Sequence, residues 1–176
     1  MNEKKIYILL TQTYTTIARI IKIITKDKYS HASISLDIKC NNMYSFGRKY
    51  IYFPFYGIFL KEDLRKGLFI RNKNALVAIY EIKVTKKQYN KIKYKIKEIE
   101  FNNKGYNIIG LLLAHFRVKL HRRKYYCSEF VYEVLSNKEI EIYNKENTLF
   151  KPEKLITNNK FVKIFEGKIR DYIAIC

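Results

Sequence analysis

The chain has 176 residues, with 35 Lys plus Arg against 16 Asp plus Glu, giving a formal net charge of +19. That length suits one domain with a sizeable core, and an apolar share of 48% with 16 Tyr and 11 Phe excludes a disordered chain despite the charge. Six Gly and two Pro exclude collagen-like and linker-rich classes.

In chain order, residues 6–10 (Ile-Tyr-Ile-Leu-Leu) read as a short buried strand. Ile17, Ile20, Ile21 and Ile24 fall at helical spacing, and Thr15 or Thr16 serves as N-cap, so a helix is expected near 15–26. SHASISLDI at 30–38 alternates. Ala32, Ile34, Leu36 and Ile38 form one face of a half-buried strand, and His31, Ser33, Ser35 and Asp37 form the other. After a turn at Lys39 to Asn42, Met43 to Phe46 reads as the return strand of a hairpin. Residues 50–60, aromatic around Pro54, read as irregular or edge-like. A strand is expected from Ala75 to Val84 and a helix over 86–101 with a lysine-rich outer face. Gly105 breaks the chain before a short apolar helix near 106–116. A strong helix follows at 127–136, with Phe130, Val131, Val134 and Leu135 as its buried stripe. Lys151 to Leu155 suggests a helical turn, and 161–175 one or two strands. Strands and helices mix without regular βαβ alternation, so the class is α+β.

The charge has two readings. One is an electrostatic footprint for nucleic acid or anionic lipid. The other is an AT-rich codon bias, which raises Lys, Ile, Asn and Tyr together. Lysines spread along the whole chain favour the second, and a nucleic-acid partner is disfavoured. The N-terminal apolar run is too short for a signal peptide, and no run approaches the roughly 20 residues of a membrane span. Three widely spaced cysteines (Cys40, Cys127, Cys176) argue against a disulfide framework and suit a reducing compartment, so a soluble, cytoplasmic protein is expected. No zinc-type Cys/His spacing, G-x-G-x-x-G or Walker sequence is present, and neither metal nor cofactor is expected.

Cys127 opens the 127–136 helix. Unpaired N–H groups and the positive end of the helix dipole favour a thiolate there. The basic run His121-Arg122-Arg123-Lys124 just upstream adds to that field. A nucleophilic cysteine needs this setting, and the same N–H groups suit an oxyanion. The competing reading is a buried cysteine on the apolar face. His31 heads the most regular strand, on the face lined by the small Ser33 and Ser35. A helix packed close over them would bring Cys127 to the imidazole, which can take and return the thiol proton.

These residues carry a resemblance. SHASISLD, followed some 96 residues later by YYCSEFVYEVL, resembles the circularly permuted branch of the NlpC-type papain-like enzymes. The nearest match is the YiiX/YaeF-like group, related to the lecithin–retinol acyltransferase group. LTQTYTTIARIIKIITKDKYSH, MYSFGRKY, the YN-x-x-G segment at Tyr106 to Gly110 and the later Lys-Pro-Glu extend it over about residues 8–155. The resemblance implies a single domain of circularly permuted papain-like fold, with an antiparallel sheet or barrel packed against the Cys-bearing helix. It implies Cys127 as nucleophile and His31 as base. The family's third polar residue lies on the next strand, where Ser45 is the match, although relatives often carry a stronger orienting group. Asp37 lies six residues along the strand, roughly 20 Å from His31, and cannot orient the ring.

Arg48 offers a planar fork for a substrate carboxylate, or is a hairpin-surface arginine. Tyr29 is a candidate cleft wall, or packing. Gln12 is a candidate oxyanion donor at the end of the first strand. The implied activity is hydrolysis of an amide in a small peptide, cell-wall-derived ones included. The alternative is acyl transfer or thioester cleavage on lipid-like groups at a membrane surface, which the basic surface would suit. A non-catalytic nucleic-acid-binding module is the second alternative.

Overall fold

The computed structural model describes residues 3–12, 28–48, 57–102, 105–106, 124–125, 127–136, 152–157 and 159–176. Its centre is β1 (Glu3–Gln12), whose residues from Ile6 to Gln12 are all buried. A continuous apolar run of this kind marks a strand covered on both faces. β1 pairs antiparallel with β2 (His31–Ser35) on one side and β5 (Leu76–Thr85) on the other. β3 (Met43–Arg48) and β4 (Gly57–Glu62) extend the sheet beyond β2, and β8 (Val162–Lys168) extends it beyond β5. Two-residue strands β6 (Gly105–Tyr106) and β7 (Lys124–Tyr125) finish the β4 edge, giving the order β7-β6-β4-β3-β2-β1-β5-β8. Every pairing except β6 with β7 is antiparallel. The fold is therefore α+β with an open, mostly antiparallel sheet.

Two hydrophobic layers sandwich this sheet. On one face Ile6, Ile8, Leu10, Ala32, Ile34 and Phe46 meet α2 (Lys86–Phe101) and α3 (Cys127–Leu135). On the other, Tyr7, Leu9, Met43, Val77 and Ile79 meet Phe69 of α1 (Gly67–Arg71) and Ile169 and Tyr172 of α4 (Ile169–Ile175). α2 begins at Thr85, whose side chain accepts from Gln88 N while the Gln88 side chain accepts from Thr85 N, a reciprocal cap. Ile92, Ile96 and Ile99 then face the sheet. Phe130 seats α3, its ring 5.4 Å from Phe46 and 5.7 Å from Phe59. Full burial of such a ring contributes up to about 3 kcal/mol.

Three expectations are corrected. The 31–35 strand is not solvated on its His31 side. Ser33 and Ser35 are fully buried, Ser33 against the Glu62 carboxylate and Ser35 under the β2–β3 turn. α3 packs on the opposite face, over Ala32 and Ile34, so the small serines do not receive it. Residues 57–60, expected to be irregular or edge-like, form a regular strand against β3, while among the described residues the far side of β4 pairs with β6 at Gly57 alone. The segment 169–175 is a helix. Ile169 and Tyr172 are buried three apart, a helical spacing rather than a strand's alternation. Lys151 to Leu155 appears as a 3-10 turn at Pro152–Ile156. The helices expected near 15–26 and 106–116 lie outside the described residues, apart from Tyr106 in β6. Among the described residues no helix is long and apolar enough to cross a membrane.

Candidate active site

His31 is the first residue of β2 and stands opposite Thr11 of β1. β2 and β3 pair only at Ile34 with Tyr44 and at Ser35 with Met43. Continued, that register would set Ser33 against Ser45 and His31 against Gly47, but the ladder stops and the strands part. Gly47 lies at this opening. A Cβ there would come 2.8 Å from Leu60 Cδ1, which would have to shift, and would rest in ordinary contact 3.9 Å from His31 Cε1.

α3 enters from the other face. Its first residue, Cys127, is 7% exposed, and its sulfur is hydrogen-bonded to the His31 ring. The backbone N–H groups of Ala32 and Ser128 also donate to that sulfur. One belongs to β2 just past the last β2–β3 pair. The other belongs to the first turn of α3, where N–H groups have no helical partner.

The far side of the imidazole is held by Glu62, the last residue of β4. His31 Nε2 lies 3.3 Å from Glu62 Oε2. The same oxygen accepts from Ser45 Oγ at 2.7 Å and from Ser33 Oγ at 3.0 Å. An ionised carboxylate only accepts, so Nε2 carries a proton and the other ring nitrogen is the one available to the sulfur. The His31 and Glu62 side chains keep 16% and 13% of their exposure, so the ring is reachable only at an edge.

Electrostatics follow from this chain of contacts. Burial alone lowers the His31 pKa, but the Glu62 charge and the hydrogen bonds to Cys127 and Glu62 raise it from 6.5 to about 10. Burial likewise works to raise Glu62, and the His31 charge with the bonds from His31, Ser45 and Ser33 outweighs it, holding the carboxyl below its ordinary value. For Cys127 burial favours the thiol. The His31 bond and charge, then the Ala32 and Ser128 N–H groups, reverse that and lower its pKa. Both shifts run in the direction that favours a thiolate beside an imidazolium, backed by a carboxylate.

No protein-family model matches the chain, and no curated protein matches it.

The structure thus brings together two of the residues singled out in the sequence, Cys127 and His31. It gives the third place to a residue the sequence did not single out. Ser45 does not touch the imidazole. It is fully buried and acts on Glu62. Glu62 lies 31 residues after His31, just past the aromatic stretch around Pro54. The available signal was an acid ending the apolar run Ile58-Phe59-Leu60, on the face that the β3–β4 register shares with Met43. Tyr29 is elsewhere. Its ring is in the core, and its hydroxyl donates to Glu166 at 2.7 Å, where Lys28 also binds. It ties the residues before β2 to β8. The backbone of Arg48 pairs with Gly57, and its side chain lies outside the described residues. Gln12 is buried at the end of β1. Cys40 is buried in the β2–β3 turn and Cys176 is exposed, both away from His31. His115 and His121 lie outside the described residues. Among the described residues no group of three or more His, Cys, Asp or Glu side chains is placed to hold a metal ion.

Proposed function

We propose that the protein is a cysteine-dependent hydrolase with a permuted papain-like, NlpC-type fold, cleaving an amide bond in a small peptide. The observation that carries this is the continuous chain Cys127–His31–Glu62, in which a cysteine of lowered pKa at a helix N-terminus meets an imidazole braced by a buried carboxylate. Structural cysteines are buried as neutral thiols and have no use for such a partner.

In this mechanism the Cys127 sulfur attacks the amide carbonyl. N–H groups at the start of α3 stabilise the oxyanion. His31 gives its proton to the departing amine, leaving a thioester on Cys127. The neutral ring then takes a proton from water, the hydroxide attacks the thioester, and the acid leaves as Cys127 regains its resting state. Glu62 keeps the ring oriented and its charged form stable, as a triad carboxylate does. Free cysteines suit a reducing, cytoplasmic setting. The lysine-rich exposed side of α2 favours a second reading, in which the acyl group passes to a lipid-like acceptor at an anionic membrane surface instead of to water.

Iodoacetamide provides the test. Cys127 should be alkylated rapidly below pH 7, and His31→Ala should slow this at least tenfold while Cys176 labels unchanged. Slow labelling of Cys127 with no dependence on His31 would sink the proposal. Turnover of small peptide amides against acyl esters then separates hydrolysis from acyl transfer.

A further inference from the structure

Among the described residues the backbone of His31 pairs with Thr11 of β1 alone, because the β2–β3 ladder stops at Ile34. A strand end held on one side depends on what fixes the chain leading into it. Three bonds do so here. Ser30 N donates to Thr11 O at 3.0 Å. The Tyr29 hydroxyl donates to Glu166 at 2.7 Å, on β8 at the end of the sheet beyond β5. Lys28 N donates to Glu153 Oε1 at 2.8 Å. The third differs in where it leads. Glu153 follows the buried Pro152 in the 3-10 turn Pro152–Ile156. Two residues on, Leu155 is fully buried in the layer that holds Phe130, Val131, Val134 and Leu135 of α3, and the turn packs against that helix. α3 begins at Cys127. One short turn thus touches both partners of the Cys127–His31 bond, with a carboxylate on the lead into His31 and a leucine under the helix that carries the sulfur. The Lys-Pro-Glu segment at 151–153 has no part in the Cys127–His31–Glu62 chain itself.

We propose that Glu153 is a positioning residue for the Cys127–His31 pair, holding Lys28 N so that the head of β2 keeps its place against α3 and the imidazole stays in reach of the sulfur. This rests on Cys127 and His31 acting together as described above. Glu153 touches neither of them and acts through the backbone. A carboxylate accepting an N–H makes a charge-assisted bond, stronger than the neutral Ser30–Thr11 bond beside it. Lys28 is three residues from His31, at most about 10 Å of chain, so a slip at Lys28 is carried to the imidazole with one backbone bond between to absorb it. Reacting groups tolerate little of this, since a misplacement of about 1 Å can cost about 100-fold in rate. The Tyr29–Glu166 bond has no such role, because β8 lies beyond β5, away from β2 and α3.

The test is alkylation of Cys127 by iodoacetamide between pH 5 and pH 10 in the full chain, with melting temperatures measured alongside. Glu153→Ala should slow labelling at pH 6–7 about tenfold and move the rise of the pH profile up by about one unit, as Cys127 loses its partner. Glu153→Gln keeps an oxygen for Lys28 N and should recover most of the native rate. Glu153→Asp shortens the reach by one methylene with less disturbance of the fold, and should slow labelling by a smaller factor than alanine. Tyr29→Phe loses a bond from the same lead-in, to β8 instead, and should leave the profile in place. A glutamate that only stabilises the fold would lower the melting temperature and leave the labelling profile alone. Glu153→Ala and Glu153→Asp profiles that overlay the native one therefore overturn the proposal. Equal slowing in Glu153→Ala and Tyr29→Phe overturns it too, because any loosening of the lead-in would then suffice. His31→Ala separates the two levels. Native labelling that is slow and indifferent to His31→Ala overturns the catalytic reading and this proposal together. Native labelling that is fast and needs His31, with the Glu153 variants unchanged, overturns this proposal alone.

Discussion

Glu62→Gln removes one charge from a buried pair yet keeps an oxygen to which Ser33 and Ser45 can donate. In the native protein the His31 pKa rises from 6.5 to about 10, which corresponds to about 5 kcal/mol in favour of the charged ring. Glu62 is the largest of the influences that raise it. Without that charge, burial of the ring is opposed by Cys127 alone, and the imidazole titrates several pH units lower. Cys127 then loses its cationic partner, and burial pushes the thiol back up. The assay is the rate of Cys127 carboxymethylation by iodoacetamide between pH 5 and pH 10. The native protein should react at a nearly constant rate across neutral pH. The variant should be at least tenfold slower at pH 6–7 and should accelerate with pH as an isolated thiol does. Neutral His31 leaves no stranded charge, so the stability cost is that of weakened hydrogen bonds, about 1–3 kcal/mol. At about 2–4 °C per kcal/mol for a chain of this size, the melting temperature should fall by a few degrees. A variant whose labelling profile overlays the native one would refute the assignment of Glu62 to the imidazole, whatever its melting temperature.

Ser45→Ala should cost about 1 kcal/mol and slow Cys127 labelling by less than tenfold, because the 2.7 Å bond it removes reaches the imidazole only through Glu62. An effect equal to that of Glu62→Gln would place Ser45 on the ring itself. The His31–Glu62 pair also gives stability a pH window. The raised His31 contribution is complete below about pH 6.5 and is lost as pH rises through about 10. The lowered Glu62 contribution is present above about pH 4.5 and is lost as pH falls through its lower folded value. Urea midpoints of native protein and Glu62→Gln should therefore differ most near pH 5–6.5 and converge towards both extremes. Phe130→Ala should cost about 3–5 kcal/mol in urea unfolding, since its ring bridges Phe46 and Phe59. Tyr29→Phe should cost about 1 kcal/mol and leave Cys127 labelling unchanged, because the hydroxyl it removes serves Glu166.

Much of this was legible before the structure. α2 spans the 86–101 expected of it, and α3 and β2 carry Cys127 and His31 at their first residues. The periodic patterns are strong there, because each element buries one clear stripe. What failed was the assignment of faces. A strand reading Ser-His-Ala-Ser-Ile-Ser alternates as a solvated strand does, yet serine is small and polar enough to serve as a buried donor. Ser33 and Ser45 are buried because Glu62 needs them. Glu62 was illegible for the complementary reason. Acids are seldom buried unless paired, and its partners come from two other strands. Alternation within β4 cannot announce a contact that only the register of three strands creates. At the C-terminal end, Ile169 to Ile175 carries both spacings, and burial under the β2–β3 turn settles it as a helix.

The N–H of Ala32 is one of the two backbone donors to the Cys127 sulfur. The peptide group at the head of β2 is thus a spectroscopic witness to Cys127. When the thiolate is alkylated or acylated, its best acceptor is gone, and the Ala32 amide proton should move upfield and exchange faster with solvent. Its neighbours deeper in β2, between β1 and β3, should hardly respond. One amide resonance would then follow the nucleophile through each chemical state, without a label on the sulfur.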